Sequence, residues 1–96
     1  TEYILLSADR LDLYFKLKDG ANIAVEVKPQ TSPDDDIMRG LYQCVKYKAI
    51  MDAEDKVHGN KVYNKCILVI GGFLSESNKQ IREILDVKVI EGFKQK

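Results

Sequence analysis

Apolar and polar residues alternate over residues 10–18, with Leu11, Leu13, Phe15 and Leu17 set against Asp12, Tyr14, Lys16 and Lys18. A period of two predicts a strand with one apolar face. The alternation resumes in "IAVEVK", residues 23–28, where Ile23, Val25 and Val27 alternate with Ala24, Glu26 and Lys28. Asp19-Gly20 between the two runs signals a hairpin. Pro29 ends the return strand, because its nitrogen has no hydrogen to donate to the ladder. Residues 3–6 form a shorter apolar run, read as a first strand, ahead of a turn at Ser7-Ala8-Asp9.

The period changes after Pro29. "TSPDDDIMRGLYQCVKYKAIMDAEDK" predicts the longest helix, with Ser32 as N-cap, Pro33 at the first helical position, and Asp34, Asp35 and Asp36 opposing the positive end of the helix dipole. Ile37, Leu41, Cys44, Val45 and Met51 form its apolar stripe, and it is expected to fade near Lys56. Cys66-Ile67-Leu68-Val69-Ile70, closed by Gly71-Gly72, is a continuous apolar run that suits a central strand covered on both faces. Ser77 followed by Gln80 matches a capping box for a short helix through Leu85, with Ile81, Ile84 and Leu85 inward. Residues 87–90 make a final strand. The expected order is β-β-β-α-β-α-β, an α/β (α+β) domain with a mixed sheet of about four or five strands flanked by helices.

Composition narrows the class. At 96 residues the chain is one domain, of a size that buries roughly 60–65% of its unfolded surface. Apolar residues make up 45% and charged residues 31%, an ordinary globular balance. No apolar run approaches the roughly 18 residues of a membrane helix, and no signal peptide is visible. Fifteen basic residues match fifteen acidic ones, so the basic excess of an autonomous, tight DNA binder is missing, although a local basic rim stays open. Cys44 and Cys66 lie far apart without a CxxC spacing and read as reduced, buried thiols of a cytoplasmic protein. His58 is the sole histidine, which disfavours zinc. The chain starts at Thr1 rather than Met and is expected to be a piece of a longer protein with flanking domains.

The candidate chemistry sits on the hairpin. Glu26 and Lys28, two apart on a strand, share a face. A two-residue loop, Asp19-Gly20, would set Asp12 opposite Val27, on the other face. A three-residue loop, Lys18-Asp19-Gly20 with Gly20 left-handed, sets Asp12 opposite Glu26. The apolar pattern favours the second register, since it gathers Leu11, Leu13, Phe15, Leu17, Ile23, Val25 and Val27 on one face. Two facing carboxylates repel unless a cation lies between them. Mg²⁺ (or Mn²⁺) takes such oxygen ligands, polarises phosphate and lowers the pKa of water, and Lys28 would orient that water or stabilise developing charge. The alternative is a cross-strand ion pair of Asp12 with Lys28 or Lys16, worth at most about 1 kcal/mol at a surface.

Asp12, then Glu26-Val27-Lys28 on the adjacent strand, then a helix carrying Gln43 and Tyr47 as Q-x3-Y, resembles the PD-(D/E)XK nuclease superfamily. More narrowly it is similar to the recombination-exonuclease branch and to restriction-endonuclease-like domains. "DLYF", "AVEVK" and "GLYQCVKY" carry the resemblance, which covers residues 10–70. It implies a restriction-endonuclease-like core and hydrolysis of phosphodiester bonds in DNA. It also implies metal ligation by Asp12, Glu26 and the Val27 carbonyl, with Lys28 positioning the attacking water. Gln43 would reach the site from the helix, with Tyr47 supporting it and Gly40 allowing close approach to the sheet. Without the resemblance, Gln43 is equally a polar flank and Tyr47 a half-buried core edge.

Two departures stand out: Leu11 replaces the proline of the motif, and the N-terminal helix of such folds, often carrying a further glutamate, is missing or truncated ahead of Tyr3. Lys46, Lys48, Lys61 and Lys65 are candidate phosphate contacts or a scattered solvated face. The rival expectations are a noncatalytic domain of the same fold that binds nucleic acid or a protein partner, and an unrelated α/β interaction domain in which Glu26 and Lys28 form a surface salt bridge.

Overall fold

The computed structural model describes residues 2–3, 13–16, 21–57, 59 and 63–93, with backbone alone at 2–3 and 13–16. The elements run β1 (Glu2–Tyr3), β2 (Leu13–Lys16), β3 (Asn22–Lys28), α1 (Asp34–Val57), β4 (Asn64–Ile70), α2 (Glu76–Leu85) and β5 (Lys88–Ile90). That is the element order the periodicities predict. The described strands form one five-stranded mixed sheet in the order β1-β2-β3-β4-β5. The first three are antiparallel neighbours, while β3, β4 and β5 run parallel, joined through α1 and α2.

The hairpin register agrees with the apolar pattern. Leu13 pairs with Val25 and Phe15 with Ile23, the pairing expected of an odd-length bend. The bend at 18–20 and Asp12 lie outside the described residues.

The sheet face that becomes the core differs from expectation. The alternation predicts that Ile23, Val25 and Val27 build it, yet they are only partly buried. The opposite face of β3 is the covered one: Asn22, Ala24 and Glu26 are buried. The reason lies in β4, whose Cys66, Leu68 and Ile70 flank Ala24, Glu26 and Lys28 and give that face an apolar centre. Both helices pack there. Ile37, Leu41, Cys44, Tyr47 and Met51 of α1 join Ala24, Cys66, Leu68 and Ile70 in one cluster, and Ile81 and Leu85 of α2 lie against it. Strand β4 is interior, as its apolar run predicts. Val69 is buried on the face away from the helices, and Ile67 is partly buried.

Helix α1 starts one residue later than expected, with the Pro33 carbonyl accepting from the N–H groups of Asp36 and Ile37. Its buried line is Ile37, Gly40, Leu41, Cys44, Tyr47 and Met51, whereas Val45 is exposed. Steps of three and four from Leu41 through Cys44 and Tyr47 to Met51 keep one face, and Val45 falls off it. Gly40 lets the helix settle on the sheet: a Cβ there would stand 3.0 Å from Leu68 Cδ1 and 3.4 Å from Lys28 Cε.

Helix α2 is capped by Ser75, not Ser77. The Ser75 side chain accepts from the Asn78 N–H, and the helix ends on Asp86 in the left-handed conformation. Asn78 is buried and donates through Nδ2 to the Asp34 carbonyl, stitching the first turns of the two helices together. With Asn78, Ile81 and Leu85 inward, Ile84 lies about 100° off the line and is 81% exposed, contrary to expectation. Among the described residues no helix is long and apolar enough to cross a membrane.

Candidate functional site

Strand β3 delivers Glu26 and Lys28 to its C-terminal end on the helix-covered face. There Lys28 opposes Ile70 and Glu26 opposes Leu68. Glu26 is 2% exposed. An ionised carboxylate so far from water needs a compensating charge. Lys28, its side chain 15% exposed, brings its ammonium to 3.7 Å from Glu26 Oε1. The same Nζ lies 3.2 Å from Asp36 Oδ1, so Lys28 stands between two acids.

Asp36 joins the site although the sequence pattern assigns it to the helix dipole. Its pKa lies below the usual carboxylate range. Burial pushes it up, but the Lys28 hydrogen bond and charge, a Ser32 hydroxyl hydrogen bond and the Arg39 guanidinium together outweigh that. A signal for it exists in the chain: a helix that opens only a short loop after Lys28 must begin beside the end of that strand.

The resemblance-based residues come together in part. Gln43 is half-buried on α1, one turn beyond Gly40, with its side-chain oxygen enclosed; Tyr47, one turn further, is in the core. Below Glu26 the Cys44 and Cys66 thiols are free and buried. The Cys44 thiol is pushed far up, first by its hydrogen bond with Cys66, then by burial, and further by the nearby Glu26 carboxylate. Their reduced, buried state is as expected.

Val27 sits between Glu26 and Lys28 in β3, half-buried, its side chain on the opposite face. Of the lysines read either as phosphate contacts or as a scattered solvated face, the described ones, Lys46, Lys48 and Lys65, are scattered. Lys48 pairs with Asp52 at 2.9 Å toward the other end of α1, Lys65 is the second residue of β4, opposite Ile23, and Lys46 is exposed. Lys61 lies outside the described residues. Among the described residues no group of three or more His, Cys, Asp or Glu is placed to hold a metal ion.

Lys28 also lines a groove of about 700 Å³, shared with Val27, Pro29, Gln30 and the segments that follow β4 and β5. The site therefore has a buried acid and a largely enclosed ammonium paired with it, and Lys28 also takes part in lining an open groove. No protein-family model, no curated protein and no solved structure matches the chain. What the site can do rests on its own chemistry.

Proposed function

We propose that the chain is a metal-dependent nuclease domain that hydrolyses phosphodiester bonds in DNA, with Glu26 and Lys28 at its centre. The observation that carries the reading is a buried carboxylate and a partly exposed ammonium 3.7 Å apart at the C-terminal end of the sheet's middle strand. A strand face kept only for solubility does not enclose an acid. The register of β2 against β3 adds support, because it is the one on which the Asp12 and Glu26 assignment depends. The PD-(D/E)XK-like order of elements is consistent with it.

In this reading Lys28 holds the attacking water or the phosphate oxygen that gains charge, acting as a fixed positive group in a partly desolvated setting. Glu26 takes up the water proton or orients the water through hydrogen bonding. The donors are oxygens, as hard divalent cations require. Glu26, with Asp12 and the Val27 carbonyl, would hold Mg²⁺ or Mn²⁺, which when bound polarises phosphate and acidifies water. Gln43 and Tyr47 would support the site from α1. A substrate phosphate would compete with Asp36 for Lys28, whose ammonium already has both acids beside it, Glu26 at 3.7 Å and Asp36 at 3.2 Å.

That same ion pair favours one rival: a noncatalytic domain of this fold, in which Lys28 only ties β3 to α1 and the surface binds nucleic acid or a protein. The test is cleavage of a plasmid and of single-stranded DNA in Mg²⁺, comparing the parent with Lys28→Ala and Glu26→Gln, each verified as folded by circular dichroism. The nuclease reading expects each variant to lose activity by about 10²- to 10³-fold. It also expects Mg²⁺ to raise the melting temperature of the parent but not of Glu26→Gln. Equal cleavage by parent and Lys28→Ala rejects the catalytic assignment. Binding without cleavage by all three favours the noncatalytic domain.

A further inference from the structure

Helix α1 is apolar on two sides. Its buried line runs through Leu41, Cys44, Tyr47 and Met51. At about 100° per residue, Tyr42, Val45, Ala49, Ala53 and Val57 fall on the opposite side, with Ile50 at the edge of that group. All six are exposed, Tyr42 at 52% and Val57 at 82%. Spacings of three and four keep them on one stripe for about four turns. A helix that lies on a core with one face ordinarily shows water a polar one. The stripe is graded in size. Ala49 and Ala53 make a low centre, with Tyr42 and Val45 standing higher at one end and Val57 at the other. Charges flank it in an antisymmetric pattern about Ile50. Lys46 lies four residues before Ile50 and Glu54 four after, on one flank; Lys48 lies two before and Asp52 two after, on the other flank. Within the chain Lys48 and Asp52 form an exposed ion pair at 2.9 Å, a contact that water screens.

We propose that this stripe is the interface of a homodimer, in which α1 packs antiparallel on α1 of a second copy with the two-fold axis near Ile50. The antisymmetric charges select a second copy as the occupant. A two-fold axis between antiparallel helices sets each flank against the same flank of the other copy. Lys46 then meets Glu54 of the second copy, and Lys48 meets Asp52 of the second copy, each twice. Parallel packing in register would bring Lys46 beside Lys48 and Glu54 beside Asp52, like against like, so the charges also fix the orientation. The same centring sets Tyr42 over Val57 of the second copy and lets the helices approach closely at their alanines. Association is driven by the apolar stripe, because exposed ion pairs are individually weak. Two helices in contact over about four turns bury on the order of 1,000 Å², the low end for a specific interface, so the dimer is weak and concentration-dependent. The inference is independent of the nuclease reading, since the opposite side of α1 is the one that faces the sheet and Lys28.

The test is sedimentation velocity of the full chain at low salt, from about 1 μM to about 1 mM, with folding checked by circular dichroism. The parent is expected to show a monomer–dimer equilibrium with a Kd of about 10–100 μM. Ala49→Arg, which sets two like charges at the centre of the contact, should weaken it at least about 100-fold. Lys46→Glu and Glu54→Lys should each weaken it about 5- to 10-fold, and the double variant carrying both should return to within about twofold of the parent. An equimolar mixture of the two single variants should associate more tightly than either alone, because each then supplies the charge the other lacks. The charge series decides the matter if Ala49→Arg does not fold. A parent that stays monomeric throughout overturns the proposal and leaves the stripe to a different partner. A dimer that folded Ala49→Arg does not weaken, or a double variant no tighter than the singles, overturns it as well.

Discussion

Lys28 is held by two acids of different standing. Glu26 is enclosed, whereas the Asp36 side chain is 31% exposed at the start of α1. The Asp36 carboxyl titrates below its unfolded value, so the unfolded chain binds more protons through that window. Its contribution is therefore complete above the ordinary Asp value of about 4 and is lost as pH falls through the lower folded value. Urea denaturation from neutral pH down into the acid range should show this as an acid-side loss of stability that Asp36→Asn reduces, with an effect at neutral pH of at most about 1 kcal/mol. An unchanged acid limb in the variant would contradict the ion pair. At this scale Glu26 and Lys28 are legible as neighbours, because strand geometry alone puts residues two apart on one face. Asp36 is not, because its partner lies across a loop, and the triplet to which it belongs has a sufficient local explanation in the helix dipole.

At the scale of the element, α2 separates local signal from tertiary choice. Ser75 and Ser77 are both competent caps, and Gln80 favours Ser77 on local grounds. Leu74 decides otherwise. It is buried, with its N–H on Glu91, so the chain enters the helix directly after it and Ser75 takes the cap. Ser75→Ala should cost about 1 kcal/mol and Ser77→Ala close to nothing, read from the midpoint of thermal or urea unfolding. The reverse ranking would restore the capping box. In α1 the apolar spacing locates most of the buried line, but Tyr47 outranks Val45. Which of two flanking residues turns inward depends on where the helix axis lies over the sheet, and Gly40 sets that by admitting Leu68 and Lys28.

For the whole molecule, the main decision is which face of the sheet the helices cover, and a buried polar network marks the end remote from Lys28. Asn22 Nδ2 donates to Asn64 Oδ1 at 2.7 Å, across a rung at the start of the parallel β3–β4 ladder. Asn64 Nδ2 in turn reaches Asp52 at 2.8 Å and Asp55 at 2.6 Å on α1. The Asp52 carboxyl is held low first by the Lys48 hydrogen bond and then by that of Asn64. One amide thus links both central strands to the helix. Asn64→Ala should destabilise the chain by about 2 kcal/mol, because Asn22 loses its acceptor in a buried setting; a loss below about 0.5 kcal/mol by urea titration would contradict this. Periodicity and bend length act over a few residues, so the chain alone specifies the elements, their order, the hairpin register and the adjacency of Glu26 and Lys28. Long-range packing was needed to cover the Glu26 face rather than the opposite one, to bring Asp36 to Lys28, and to bring Phe73 and Phe93 to the groove that Lys28 also lines. Each of those outcomes depends on β4, which pairs with β3 only after α1 has returned the chain, so no local pattern records it.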